Sequence, residues 1–151
     1  MVKKDNIWIL CKFYCKENEG MLNKKQEDDI FKILENSNTP LSILIKEEFD
    51  KKATILYGKI FKSILFSRFF VTFANLKLRL FIIRTSNKYK REVSLLSQFV
   101  TLCGSNLSVQ VLYIGVTLCK CKRFLRDLFI RLKIEDNIPT ILKYNNFPHF
   151  L

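Results

Sequence analysis

The 151-residue chain has few of the residues that build many common active sites and loops. It contains four glycines, three prolines and one histidine, His149. So few glycines leave no glycine-rich loop to cradle phosphates, and the low glycine and proline content excludes a collagen-like or low-complexity chain. One histidine cannot form a zinc protease site of two histidines, and His149 lies at the chain terminus without an orienting partner. We therefore predict that the protein is not an enzyme.

The cysteines also lack the pattern of a metal site or a disulfide framework. There are five: Cys11, Cys15, Cys103, Cys119 and Cys121. An odd number without a secretory signal is typical of a reducing compartment. Paired zinc knuckles have two to four residues between ligands, whereas one residue separates Cys119 from Cys121. We expect small buried side chains, no metal, no other cofactor and a cytoplasmic location.

One uncharged stretch has the length of a membrane-spanning helix. Residues 94–119 carry no charged side chain, and a spanning helix needs about 20 mainly apolar residues. Polar residues interrupt the stretch, and Gly104-Ser105-Asn106 divides it into two shorter pieces. We favour two buried core elements joined by a tight turn, with a small membrane protein as an alternative.

What the sequence does have is a strongly uneven distribution of charge. The net charge is +12, from 26 Lys and Arg against 14 Asp and Glu. Residues 1–50 have a balance of −2 and residues 134–151 a balance of −1, whereas residues 51–133 have a balance of +15. Because uncompensated positive charge destabilises a compact chain through self-repulsion, the asymmetry indicates a polyanionic partner.

The length suits one domain, residues 1–151, in which the charge distribution defines three parts. Residues 1–50 are a near-neutral helical part, residues 51–133 are the basic core, and residues 134–151 are a C-terminal helix and tail. Only Glu92 and Asp127 oppose the bases of the basic core.

Lysines and arginines of the basic core are the candidate residues for binding nucleic acid. Each phosphate that such a side chain neutralises releases counterions, so binding does not depend on base sequence. The alternative is a solvated face whose lysines reflect compositional bias. The predicted binding residues are Lys59, Lys62, Arg68, Lys77, Arg79, Arg84, Lys88, Lys90, Arg91, Lys120, Lys122, Arg123, Arg126, Arg131 and Lys133.

Aromatic residues alternate with these bases. If the rings are exposed, they could stack on unpaired bases, as in single-strand binding proteins. Phenylalanine is more often a core residue, and the sequence contains no aromatic motif of the RRM type. We therefore expect core positions for these rings, which are Phe61, Phe66, Phe69, Phe70 and Phe73.

Hydrophobic periodicity favours helices over most of the chain. Apolar residues recur at three- and four-residue spacing within residues 52–70, and an apolar stripe of the same period runs through residues 120–133. Residues 7–14, 89–102 and 138–144 also fit short helices.

Two segments fit a helix or a strand. Residues 76–80 alternate between apolar and basic with period two, and residues 109–116 are rich in β-branched side chains. Helix is the favoured interpretation of residues 71–84 and 107–118. The predicted fold class is mainly α, and the alternative is a single α+β domain.

Two stretches resemble armadillo and HEAT-type helical-repeat proteins. Residues 107–144 are similar to the second and third helices of such a repeat, through Val109-Gln110, Leu112, Ile114-Gly115, Leu118 and Ile138-Pro139-Thr140-Ile141-Leu142. Residues 56–61 and 75–78 resemble the kinase-activating armadillo scaffolds. The resemblance covers under half of the chain and implies a short helical array that binds macromolecules on a concave face and does no chemistry.

Together these features favour a non-enzymatic basic protein that docks on structured RNA. The ribosome is the most abundant such target in a cytosol, so we predict a ribosome-associated protein, either an accessory ribosomal protein or a factor that silences ribosomes. Its partners would be the phosphate backbone and neighbouring proteins, without a small-molecule substrate or a membrane. An armadillo-type protein–protein scaffold is the alternative.

Overall fold

The computed structural model describes residues 5–15, 32, 38–102 and 107–132, which form an antiparallel sheet with helices on both faces. The strands are β1 (Asn6–Cys15), β2 (Phe70–Asn75), β3 (Leu80–Ser86), β4 (Thr101–Leu102) and β5 (Leu107–Gly115), in the spatial order β2-β3-β1-β5-β4. The helices are α1 (Leu41–Phe66), α2 (Lys90–Ser97) and α3 (Leu118–Leu132), and a 3-10 turn, Asn87–Tyr89, precedes α2. Apart from the short strand β4, the elements up to β5 follow the β-α-β-β-α-β order of ferredoxin-like folds.

This α+β architecture contradicts the prediction of a mainly α, armadillo-like array, and it agrees with the α+β alternative. Residues 7–14 form a strand instead of a helix. Residues 71–84 form two strands and their turn, and residues 107–115, compared above with a repeat helix, form β5. The predicted helix at residues 138–144 lies outside the described residues. A strand that is covered on both faces has a continuous apolar sequence, which periodicity cannot distinguish from a buried helix.

Strand β1 lies in the middle of the sheet and is apolar on both faces. Because successive side chains of a strand point to opposite faces, Ile9 and Phe13 pack with residues of α1 and α2. Leu10 points the other way and packs with Ile82 of β3 and Leu125 of α3. The sheet therefore has two covered faces, here called the α1/α2 face and the α3 face.

Helix α3 closes the second of these faces with the apolar stripe that the sequence predicts. Leu125 is 1% exposed, and the Phe124 ring stacks on the Tyr113 ring of β5 with centroids 4.8 Å apart. The prediction of a helix over residues 120–133 is confirmed over residues 120–132. Within the described residues, no helix combines the length and apolar character that crossing a membrane would require.

Helix α1 turns back on itself at Gly58. This residue has φ 83° and ψ 166°, a conformation that is open almost solely to glycine. The turn brings the Lys62 ammonium within 3.1 Å of the Asp50 carboxylate, although a straight helix would separate these residues by about 18 Å. Around the turn, Ile55 is 74% exposed and Ile60 is 82% exposed.

We expect Gly58→Ala to lower the free energy of unfolding by about 1–3 kcal/mol, because alanine is strained at this φ and ψ. Steric overlap does not contribute, since no heavy atom lies within 4 Å of a Cβ built at this position. Urea denaturation measures the effect. Ile60→Ala, two residues away and exposed, is the control and should change stability by less than about 0.5 kcal/mol. If Gly58→Ala is as stable as the wild type, the φ and ψ of Gly58 given above are wrong.

Candidate nucleic-acid interface

The antiparallel sheet brings several chain segments to one of its ends. The register pairs Trp8 near the start of β1 with Arg84 near the end of β3 and with Gly115 at the end of β5. It also pairs Phe70, the first residue of β2, with Arg84. The connection from α1 to β2, the connection from β3 to α2 and the start of α3 therefore meet at this end.

Six of the predicted binding residues lie at this end of the sheet, and we call them the basic rim. Arg84 is half-buried, and the other five side chains are exposed. Among the described residues, no carboxylate forms an ion pair with a member of the rim. Its positive charge is thus available to a polyanion. The members are Arg68, Arg84, Lys88, Lys90, Arg91 and Lys120.

A small hydrogen-bond network fixes the backbone of the rim. The Ser86 hydroxyl donates to the Asp5 carboxylate at 2.7 Å, and the Asn87 amide donates to the Asp5 carbonyl. The Lys88 amide donates to the Ser86 oxygen at 3.3 Å. These bonds join the beginning of β1 to the end of β3, so the segment that carries Lys88 keeps a fixed position beside the sheet.

Two of the rim's cationic side chains are close to aromatic rings. The Arg84 guanidinium carbon lies 4.7 Å from the centroid of Phe70, and the Lys88 ammonium lies 5.8 Å from that of Tyr89. Cation–π attraction holds such groups without neutralising them. The Arg68 guanidinium also remains charged while it donates to the Asn6 side-chain oxygen at 3.3 Å. These contacts therefore hold side chains of the rim in place while the side chains stay positively charged.

The remaining predicted residues lie in other elements or farther along the same ones. Lys77 and Arg79 lie in the turn between β2 and β3, at the opposite end of the sheet. Lys59 and Lys62 lie on α1, where Lys62 pairs with Asp50. Helix α3 carries four more of them: Lys122, Arg123, Arg126 and Arg131. Arg123 and Arg126 are exposed, and Lys122 is half-buried. Lys133 lies outside the described residues.

Sequence reasoning missed residues of the first strand that belong to this end of the molecule. Asp5 and Asn6 hold parts of the rim by hydrogen bonds, and Trp8 lies beside Arg84 in the sheet. They fall in the near-neutral residues 1–50, so the charge distribution carried no signal for them. Only the pairing of β1 with β3 brings them to the rim.

Two of the described cysteines, Cys11 and Cys121, are core residues. Cys11 and Cys121 are buried, and Cys119 is exposed. The Cys11 thiol donates to the Ile9 carbonyl, and the Cys121 thiol donates to the Trp8 carbonyl. The described residues contain no group of three or more potential metal ligands. Burial raises the pKa of the Cys121 thiol to about 11 and also raises the pKa of Cys11.

We expect only Cys119 to react rapidly with a thiol reagent in the folded protein at pH 8. Cys11 and Cys121 are shielded from the reagent, and burial keeps them protonated. The test uses a Cys15→Ser, Cys103→Ser background, which limits the count to these three thiols. Absorbance with Ellman's reagent should show one fast thiol in buffer and three in denaturant. Three fast thiols in buffer would contradict the buried positions.

Comparisons with known proteins identify the fold and no family. The sequence matches no protein-family model, and no curated protein matches it. Among solved structures, a chain in the cryo-EM structure of yeast ribonuclease MRP is similar in fold, with a TM-score of 0.54 and 13% sequence identity. The similarity covers 89% of this chain and 98% of that chain. It therefore extends over nearly the whole of both proteins.

Proposed function

We propose that this protein is a non-catalytic, RNA-binding subunit of a ribonucleoprotein. The observation that carries the proposal is the basic rim, which gathers six cationic side chains at one end of the sheet without an ion pair from the described residues. Lysine and arginine neutralise backbone phosphates and release counterions, which stabilises binding to RNA of any sequence. The similarity in fold to a chain of a known ribonucleoprotein also supports the proposal.

More specifically, we propose that this protein is a subunit of a ribonucleoprotein ribonuclease that resembles ribonuclease MRP. The similarity in fold spans 89% of this chain and 98% of the yeast chain, so it is not confined to one part of either chain. The ribosome, which the sequence suggested as a target, is the second candidate. Both assemblies present a structured RNA together with neighbouring proteins, and both are compatible with attachment through phosphates.

The proposal also includes contact with a neighbouring protein. Around Gly58, three aliphatic side chains are exposed: Ile55, Leu56 and Ile60. Phosphate groups do not cover aliphatic surface favourably, whereas another protein does. A subunit with RNA at the end of its sheet and a protein against the turn of α1 would use both surfaces.

We expect removal of three rim charges to weaken RNA binding by more than 10-fold at moderate salt. The variant is Arg68→Gln, Lys88→Gln, Lys120→Gln, and the probe is a labelled RNA hairpin in a fluorescence anisotropy titration. The logarithm of the binding constant should fall steeply with the logarithm of salt for the wild type. The slope should become shallower by about 2 in the variant, because each phosphate contact contributes about 0.7–0.9.

A second triple variant is the matched control for charge. Lys12→Gln, Lys46→Gln, Lys77→Gln removes the same number of charges from exposed side chains outside the rim. It should retain most of the wild-type affinity and salt slope. Equal losses in the two variants would show that general positive charge, and not the rim, binds RNA.

The identity of the RNA is a separate prediction. We expect ultraviolet cross-linking, purification of the tagged full-length protein and sequencing of its bound RNA to recover the RNA of a ribonucleoprotein ribonuclease. The rim variant should recover less of it than the control variant. Recovery of ribosomal RNA with equal enrichment across both subunits would favour the ribosome, and recovery of no RNA above background would contradict the proposed function.

A further inference from the structure

Phe70 is more exposed than the other four phenylalanines that alternate with the basic residues. Phe69 is fully buried, and Phe61, Phe66 and Phe73 are half-buried in the core clusters. Phe70 is 42% exposed, although it belongs to a strand. Packing against the core therefore does not account for the exposed part of this ring.

The sheet register places Phe70 at the end of a row that crosses four strands. Phe70 pairs with Arg84, Arg84 pairs with Trp8, and Trp8 pairs with Gly115. Residues that pair across an antiparallel sheet project from the same face. This row therefore lies on the α3 face, at the end of the sheet where α3 begins.

The neighbouring row on the same face is covered by α3. There Ile82 pairs with Leu10 and with Phe73, and both aliphatic side chains belong to the cluster that α3 covers. Phe70 lies in the edge strand of the sheet, so no further strand covers its outer side. The row that contains Phe70 is consequently one place where the α3 face becomes accessible.

Charge around the ring favours a nucleic-acid ligand over an apolar one. The Arg84 guanidinium lies 4.7 Å from the ring centroid, and Arg68 precedes Phe70 by two residues. The Arg68 guanidinium is held in place by Asn6. An aromatic ring beside an arginine matches a nucleotide, in which a flat base is attached to a phosphate, and base–aromatic stacking is the usual mode for unpaired bases.

We infer that Phe70 is a stacking site for an unpaired RNA base, with Arg68 and Arg84 binding the adjacent phosphates. This inference rests on the proposed function and adds the class of RNA that the rim selects. A base within a duplex offers its faces to its neighbours in the stack, so it cannot stack on Phe70. The site therefore distinguishes single-stranded segments or bulges from continuous helix.

The experiment compares two RNA probes with the full-length protein in an anisotropy titration at constant salt. One probe is an oligouridine of about 12 nucleotides, within the site size of single-strand-binding domains, and the other is a blunt RNA duplex. Phe70→Leu keeps an apolar side chain but removes the aromatic face. It should weaken oligouridine binding by about 5- to 150-fold and change duplex binding by less than about two-fold.

Three further variants isolate stacking from folding and general hydrophobicity. Phe70→Tyr should bind oligouridine like the wild type, because the ring is retained. Phe70→Ile, a better strand former than leucine, should behave like Phe70→Leu, so a folding defect in one variant does not decide the result. Phe99→Leu is the matched control: Phe99 is 48% exposed but lies after α2, away from the rim, and its loss should leave oligouridine binding unchanged.

The outcomes separate this inference from the proposed function. In the first case, the rim triple variant weakens binding of both probes, and Phe70→Leu either leaves both unchanged or weakens both equally. The stacking site is then refuted, and the RNA-binding role stands. If Phe99→Leu has the same effect as Phe70→Leu, the site is also refuted. If the wild type binds neither probe, both the inference and the proposed function are wrong.

Discussion

The covering of the sheet on both faces is the constraint on which the rest of this structure depends. Strand β1 directs Ile9 toward α1 and α2 and directs Leu10 toward α3, and both side chains are fully buried. At about 1.5–3 kcal/mol for each large aliphatic side chain buried, the two clusters supply a large share of the stabilisation. An unpaired charge inside either cluster would cost several kcal/mol, so the cations must lie at the ends of strands, in turns or on the outer surfaces of helices.

The basic rim follows from this constraint together with the order of the strands. Because β1 and β2 begin where β3 and β5 end, segments far apart in the sequence bring Arg68, Lys88 and Lys120 to one end of the sheet. A polyanion that meets this end encounters several cations at once. The same residues spread along an extended chain would not form a surface, so the sheet converts an excess of charge into a candidate site.

Helix α3 also determines how this ferredoxin-like fold could recognise RNA. In an RRM, aromatic residues on an open sheet stack two or three bases. Here the central positions of the corresponding face are aliphatic, and α3 covers them. The row with Phe70 and Arg84 lies at the edge of the area that α3 covers. Under the proposed stacking site, an RNA base would bind at the end of this face and not at its middle.

The sequence by itself determined α3, whose stripe of Leu125, Leu128 and Phe129 has the helical period, and it determined that the cations concentrate in residues 51–133. It did not determine the strands, because Ile7–Leu10 and Phe81–Ile83 are continuous apolar runs that fit a buried helix equally well. The helix expected at residues 107–115 was wrong for the same reason, because these residues form β5. Only the tertiary structure decided which cations share a surface and which phenylalanines stay exposed. Strand pairing over long sequence distances brings Asn6, Arg68 and Arg84 together.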